Sequence, residues 1–210
     1  MAERVDFSLY LISDRKAVPE GKDLLEVLEA ALLGGVRAVQ LREKDLDAAR
    51  LLPLARQLRE LTGDYQAKLL INDRIDVALA VEADGVHLGS HSLPIAVARK
   101  LLGPDRLIGV STHNHQQIHA AVAGGANFIT FGPIWYTLSK TLPGEPVGPE
   151  ALKEACRQST VPVFALGGVT PKGIPELHAA GCHHVACIGG ILQQEDPTAA
   201  SRAFLAQLDA

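Results

Sequence analysis

The segment that decides the fold is KLLINDRIDVALAVEADGVHLG, residues 68–89. Lys68–Asn72 is a short apolar run, residues 74–82 have helical periodicity, and Gly85–Gly89 is a second apolar run. A strand, a helix and a strand in such close succession are typical of a βαβ unit, in which the two strands lie parallel. The segment therefore predicts a parallel sheet with helices on its surface.

The same alternation continues in both directions along the chain. Strands are predicted at Ser8–Ser13, Ala38–Arg42, Lys68–Asn72, Gly85–Gly89, Leu107–Thr112, Phe128–Pro133, Val161–Gly168 and His184–Gly190. Helices are predicted near residues 23–34, 46–62, 74–82, 93–102, 115–124, 149–158, 171–180 and 197–208. Eight strand–helix units of ~26 residues each favour a single (β/α)8 TIM barrel. A doubly wound open sheet is the alternative, because periodicity alone does not show that a sheet closes.

Several helix starts are also marked by capping residues. Asp23 and Asn114 have capping-box spacing to a residue three positions later. Ser92, Thr170 and Asp196 stand just before first-turn prolines, and each is predicted to cap the helix that follows. No linker-like composition interrupts these units, so residues 1–210 are expected to form one domain.

Composition excludes several classes of function. The chain has 20 Lys+Arg against 24 Asp+Glu, a net charge of −4, so it lacks the basic field that binds nucleic acid. No apolar run approaches the ~20 residues that span a bilayer, and the acidic residues near Met1 do not fit a secretory signal. The three cysteines have no metal-binding or disulfide pattern. We expect a cytoplasmic protein with neither nucleic-acid nor membrane partners, and a homodimer is compatible with the sequence.

In a (β/α)8 barrel the active site forms where strands end and helices begin. Three cations fall at such positions: Arg42 and Lys44 after the second strand, and Lys140 in the long irregular stretch after the sixth. Single basic residues are usually solvated surface charges. Three over one barrel mouth in an acidic chain predict a ligand more negative than a phosphate monoester, because several cations neutralise a polyanion best.

Two glycine pairs follow the last two strands. Gly167-Gly168 and Gly189-Gly190 stand at the loops where barrels commonly bind phosphate through exposed backbone N–H groups. The alternative is that both pairs form tight turns only.

Other strand ends carry groups suited to metal binding or proton transfer. Asp73, directly after Asn72, offers a hard-cation ligand of the kind that Mg²⁺ takes, or else it caps the next helix or pairs with Arg74. His113 ends the fifth strand, two residues after Ser111, and is either a proton shuttle or a loop histidine.

Six motifs in order carry a resemblance to a known family. They are Gln40-Leu41-Arg42-Glu43-Lys44, Asn72-Asp73-Arg74, Gly85-Val86-His87-Leu88-Gly89, Gly109-Val110-Ser111-Thr112-His113, Thr137-Leu138-Ser139-Lys140 and Ala165-Leu166-Gly167-Gly168-Val169. Together they resemble the thiamine phosphate synthases and, equally, their sister group, the thiazole tautomerases. The resemblance runs from the first strand to the last helix.

The resemblance implies a (β/α)8 enzyme of thiamine biosynthesis. A synthase joins hydroxymethylpyrimidine diphosphate to thiazole phosphate and releases diphosphate. By this resemblance the diphosphate is held by Gln40, Arg42, Lys44, Asn72, Thr137, Ser139 and Lys140. Mg²⁺ is held by Asp73, and the thiazole phosphate by Gly168, Gly189 and Gly190. Lys140, His113 and Ser111 are the catalytic candidates.

One departure from the family pattern affects the metal site. Where the synthases have a second aspartate in Gly-Gln-x-Asp, this chain has Gly89-Ser90-His91-Ser92. Loss of that carboxylate favours a tautomerase, which needs only a phosphate site and an acid–base group such as His113. It also keeps open a non-catalytic protein that binds thiazole or thiamine phosphate. The otherwise complete diphosphate set favours the synthase.

Overall fold

Eight parallel strands close into a barrel in the computed structural model, which describes residues 5–137 and 145–210. The strands are β1 (Leu9–Ile12), β2 (Ala38–Leu41), β3 (Lys68–Asn72), β4 (Gly85–Leu88), β5 (Leu107–Thr112), β6 (Phe128–Phe131), β7 (Val163–Leu166) and β8 (His184–Cys187). All eight coincide with predicted strands, and several end earlier than expected. Since β8 pairs with β1 through Tyr10 and Ala186, the sheet is closed and the open-sheet alternative is wrong.

Helices surround the barrel, and each strand is followed by at least one of them. They are α1 (Leu24–Leu33), α2 (Ala48–Asp64), α3 (Ile75–Ala80), α4 (Ile95–Leu102), α5 (His115–Ala123), α6 (Gly148–Gln158), α7 (Ile174–Ala179), α8 (Gly189–Leu192) and α9 (Pro197–Leu208). A 3₁₀ turn, Pro171–Gly173, precedes α7. Within the described part of the chain, no helix has the length and apolarity needed to cross a membrane.

Three predicted caps are confirmed. The carboxylates of Asp23 and Asp196 and the amide oxygen of Asn114 each accept a hydrogen bond from a backbone N–H in the first turn of α1, α9 and α5. Each of these bonds satisfies one of the N–H groups that a helix start leaves free.

Two other capping predictions are wrong. The N-cap of α4 is Pro94, and the Ser92 hydroxyl instead accepts a 2.8 Å hydrogen bond from the N–H of Gly89 upstream. Thr170 occupies the N-cap of the 3₁₀ turn, but its side chain makes no capping bond. A following proline does not by itself prevent capping, because Asp196 caps α9 directly ahead of Pro197; at Ser92 the hydroxyl bonds to Gly89 instead.

The predicted end of the last strand, at Gly190, is also wrong. The apolar run after His184 does not continue as strand to Gly190, because β8 ends at Cys187 and α8 begins at Gly189. The short apolar sequence gives no periodicity that separates strand from helix.

Side chains alternate between the barrel interior and the helix layer. On β1, Leu9 and Leu11 pack beneath the helices, whereas Tyr10 points inward. Tyr10, Phe7, Phe128 and Phe164 pack ring against ring, with centroids 5.1–5.9 Å apart. These aromatic rings fill the interior beneath Gln40 and His87, which face inward nearer the carboxyl ends of their strands.

Candidate active site

The end of β2 supplies the first polar group of the mouth. Gln40 follows Ala38 at the inward period-2 position and is 1% exposed. Its amide donates a 3.0 Å hydrogen bond to the hydroxyl of Tyr10. Burial raises the pKa of Tyr10 far above its usual value, so the phenol stays neutral. Gln40 is therefore held by the aromatic floor of the site.

The charged residues beyond β2 are fixed by a buried carboxylate, Glu43. It accepts a 2.6 Å hydrogen bond from the hydroxyl of Ser13 and forms a 3.0 Å ion pair with Arg15. The same Ser13 oxygen accepts the backbone N–H of Arg42 at 2.8 Å. Ser13 and Arg15, in the loop after β1, therefore hold Arg42 and Glu43 in the loop after β2. Lys44 follows directly in the same loop.

Arg42, Lys44 and Asp73 form one electrostatic group. The positive charge of Arg42 is the main cause that lowers the pKa of Lys44, with partial burial second, and the negative charge of Asp73 opposes both. Such mutual influence requires that the three charges lie close together, because exposed charges are screened beyond a Debye length of roughly 10 Å. The shifted pKa of Lys44 thus indicates that Arg42, Lys44 and Asp73 share one region of the barrel mouth.

Asp73 takes neither of the structural roles considered for it. Arg74 pairs with Asp76 instead, at 2.9 Å between Nε and Oδ1, and α3 has no side-chain cap. Asp73 has φ +62°, a left-handed conformation that aspartate tolerates better than most residues. This sharp turn directly after Asn72 ends β3 and leaves an exposed carboxylate at the barrel mouth. Among the described residues, no three His, Cys, Asp or Glu side chains form a metal-binding group.

On the neighbouring strands β4 and β5, His87 and Ser111 are in contact. His87 lies on β4, is 3% exposed, and its Nε2 is 3.0 Å from Ser111 Oγ on β5. Burial, together with the charge of Arg42, lowers the pKa of His87 to about 3. Sequence reasoning assigned no role to His87. The period-2 alternation of a strand, counted from Gly85, could have shown that His87 faces inward.

His113 lies just beyond β5. It is exposed, and its Nδ1 is 2.6 Å from the carbonyl oxygen of Gly132. A carbonyl only accepts, so Nδ1 carries a proton, and Nε2 is the ring nitrogen left for other partners. A cavity of about 380 Å³ between α4 and α5 is lined by Ser111 and His113, and also by Ser92. The structure therefore brings together two of the three catalytic candidates and the position of the replaced aspartate.

The glycine pairs after β7 and β8 follow the expected strand ends, and both are also needed for packing. Gly168 has φ +68°, and a Cβ there would lie 2.7 Å from the carbonyl oxygen of Tyr136. A Cβ on Gly190 would lie 3.0 Å from the ring of Phe204. A side chain at Gly168 or Gly190 would therefore collide with neighbouring atoms, which explains why glycine stands at both positions. The first N–H groups of α8 have no partners inside the helix, as at any helix start.

The remaining predicted residues belong to the segment after β6. Thr137 is half-buried, and the segment before it is joined to β7 because Trp135 donates its N–H to the carbonyl of Gly167 at 3.0 Å. Ser139 and Lys140 lie outside the described residues.

The fold and the site define a class of protein: a (β/α)8 barrel with a cationic mouth and glycine-rich loops after β7 and β8. Residues 9–191 match the family model described as thiamine monophosphate synthase. The chain belongs to the thiamine monophosphate synthase family. This agrees with the resemblance that the six sequence motifs carry.

Individual relatives are similar over almost the whole chain. A protein of Geobacter sulfurreducens named putative thiamine-phosphate synthase is 57% identical over 205 residues, 98% of this chain and 96% of that protein. The thiamine-phosphate synthase of Synechocystis is 44% identical over 96% of this chain, which spans only 57% of that longer protein. The solved structure of thiamine phosphate pyrophosphorylase from Pyrococcus furiosus superposes with a TM-score of 0.86 at 32% identity, covering 97% of this chain and 96% of that one.

Proposed function

We propose that this protein is a thiamine phosphate synthase, which joins hydroxymethylpyrimidine diphosphate to thiazole phosphate and releases diphosphate. The observation that carries the proposal is the convergence of Arg42 and Lys44 at the end of β2, close enough for one charge to lower the pKa of the other. Two cations held side by side repel each other in the free protein, and a polyanion relieves that repulsion.

The diphosphate is the ligand that best fits this group. Arg42 and Lys44 donate to its oxygens, and the inward-facing Gln40 and Asn72 supply neutral donors beside them. Thr137, Ser139 and Lys140, from the segment after β6, complete the set by family resemblance. Charge builds on the diphosphate as the bond to the pyrimidine methylene breaks, so donors aimed at it stabilise the transition state more than the substrate.

Magnesium fits the site only together with that diphosphate. Mg²⁺ is commonly bound by one or two carboxylates plus substrate phosphates and water. Asp73 offers one exposed carboxylate beside Lys44, and Ser92 stands where a second aspartate is expected. Asp73 would therefore hold the ion jointly with the diphosphate, and the ion would add positive charge against the leaving group.

The thiazole phosphate is assigned to the loops after β7 and β8. The N–H groups of Gly168, Gly189 and Gly190 are its donors, at the face of the barrel where phosphate commonly binds. Residues 1–210 act as one domain. Phosphorylated small molecules as substrates are in keeping with the cytoplasmic location expected from the sequence.

A thiazole tautomerase is the second candidate, favoured by one observation. The hydrogen bond from His113 Nδ1 to Gly132 leaves Nε2 free to take a proton beside the cavity that Ser111 lines. A tautomerase, however, gives no role to the clustered Arg42 and Lys44.

The two functions are separated by comparing Lys140→Ala with His113→Ala in both reactions. In a synthase, Lys140→Ala lowers the rate by roughly 10²–10³-fold, the scale for losing one charge-stabilising donor, and His113→Ala lowers it much less. In a tautomerase the order reverses, because the proton carrier is worth roughly 10²–10⁴-fold. Activity in neither reaction, with thiazole phosphate still bound, would indicate a non-catalytic binding protein.

A further inference from the structure

The contact between His87 and Ser111 has no part in the function proposed above. His87 pairs with Gly109 across β4 and β5, and Ser111 is two residues further along β5. Gly109 and Ser111 therefore face the same side of the sheet, the barrel interior. The histidine lies one layer below the serine and reaches it diagonally, at 3.0 Å from Nε2 to Oγ.

The histidine ring is enclosed on its other sides. The rings of Tyr10 and Phe128 each lie with centroids 5.8 Å from it, and a Cβ on Gly109 would lie only 2.6 Å from Nδ1. Nδ1 is buried and has no hydrogen-bond partner among the described residues. A charged ring would bury an unpaired Nδ1–H between these aromatic rings, so the ring is neutral and carries a single N–H.

The position of that proton decides what Ser111 does. If Nδ1 carried it, a buried N–H donor would be left unpaired, which is rarer in proteins than an unpaired acceptor. With the proton on Nε2, the ring donates to Ser111 Oγ, and only an acceptor is left unpaired at Nδ1. A serine that accepts from below has its own O–H free for a group above it, in the mouth.

We propose that His87 is a positioning residue whose Nε2–H binds Ser111 Oγ and directs the serine O–H toward the mouth as a donor to the pyrimidine diphosphate substrate. For the identity of that substrate, the inference rests on the proposed function. Ser111 touches the substrate, and His87 acts through Ser111.

Steady-state kinetics test the coupling between the two residues. Ser111→Ala and His87→Leu each lower kcat/KM for the pyrimidine diphosphate by roughly tenfold, the scale of one neutral hydrogen bond. The double variant loses the same tenfold and not the product of the two, because His87 acts only through Ser111. His87→Gln, whose side-chain amide can still donate to Ser111, stays within about threefold of the wild type. Circular dichroism confirms that each variant is folded.

Ring ¹⁵N NMR spectra of the ligand-free wild-type protein test the tautomer without any assay of activity. His87 is assigned by the resonances that vanish in His87→Gln. We expect a protonated Nε2 and an unprotonated Nδ1, with the Nε2 resonance shifting in Ser111→Ala. His91→Gln, at an exposed histidine, is the matched control and leaves the His87 resonances in place.

The outcomes separate this inference from the proposed function. An Nδ1–H tautomer, losses that multiply in the double variant, or equal losses in His87→Leu and His87→Gln would each overturn the inference and leave the synthase proposal standing. If the wild-type protein makes no thiamine phosphate, the synthase proposal fails, and the NMR result alone decides the role of His87 toward Ser111.

Discussion

The carboxylate of Glu43 accepts a hydrogen bond of 2.6 Å from the hydroxyl of Ser13, and this contact joins the loops after β1 and β2. Ser13 also accepts the backbone N–H of Arg42, so the position of Arg42 depends on a contact with the loop after β1. Site geometry in this barrel is thus set partly by a buried anion, Glu43, that links these two loops.

Glu43→Gln is expected to weaken both the fold and the site. The amide keeps a partner for Ser13 but loses the ion pair with Arg15, and a hydrogen bond to a buried charged group is worth about 1.5–3 kcal/mol. Urea denaturation should show a loss of free energy of unfolding on this scale, and KM for the pyrimidine diphosphate should rise. Asp45→Asn, which weakens only the more exposed part of the Arg15 network, should cost less than ~1 kcal/mol. Equal losses in the two variants would show that Glu43 has no special role.

Arg42→Met is expected to raise KM for the pyrimidine diphosphate by roughly 10–100-fold, since it removes a charged donor to the diphosphate. It should also raise the pKa of Lys44, for which Arg42 is the main lowering influence. Inhibition by inorganic diphosphate, measured over a range of salt concentrations, should weaken in parallel. Arg56→Met, on the exposed face of α2, removes the same charge and serves as the control. An unchanged KM in Arg42→Met would contradict the assignment.

Ser92→Asp is expected to lower the Mg²⁺ concentration needed for half-maximal synthase activity, because it restores a carboxylate after β4, the strand next to the one that Asp73 follows. Asp73→Asn should raise that concentration by at least about tenfold. Titration of activity with Mg²⁺ measures both. Ser90→Asp adds the same charge two residues away and should have little effect. If Ser92→Asp and Ser90→Asp behave alike, the missing carboxylate does not limit metal binding.

The stability of the protein should fall on mild acidification because of His87. Its pKa is 6.5 when unfolded and about 3 when folded, so below pH 6.5 the unfolded chain binds a proton that the native state does not. Between pH 7 and pH 5 this costs about 2 kcal/mol. Urea denaturation of the wild type and His87→Gln at pH 5, 6 and 7 should show that the variant lacks this part of the pH dependence. His91→Gln, at an exposed position, should follow the wild type; identical slopes in His87→Gln would refute the account.

Most of the fold could be predicted from sequence because each strand is a short apolar run and each helix has its own periodicity. The segment 68–89 alone contains β3, α3 and β4 in the predicted order. Barrel closure could not be derived, because it depends on pairing between β1 and β8 at opposite ends of the chain. The capping prediction for Ser92 was wrong because its hydroxyl accepts the N–H of Gly89, earlier in the chain, and not an N–H of the helix that follows.

The candidate site was predictable to the extent that strand ends identify it. Arg42, Lys44 and Asp73 were found this way, and the structure brings their charges together. Glu43 and His87 were not assigned a role, because each acts through a partner that is distant in sequence, Ser13 and Ser111. Such contacts follow from barrel register, which single-sequence patterns do not contain.

The most direct test of the synthase proposal is the reaction itself. The purified protein is incubated with hydroxymethylpyrimidine diphosphate, thiazole phosphate and Mg²⁺, and thiamine phosphate and free diphosphate are quantified by chromatography over time. The account predicts that both products form at the same rate in one-to-one ratio, and that omission of either substrate abolishes both. No thiamine phosphate above the enzyme-free control, while a thiazole carboxylate phosphate is isomerised, would contradict it.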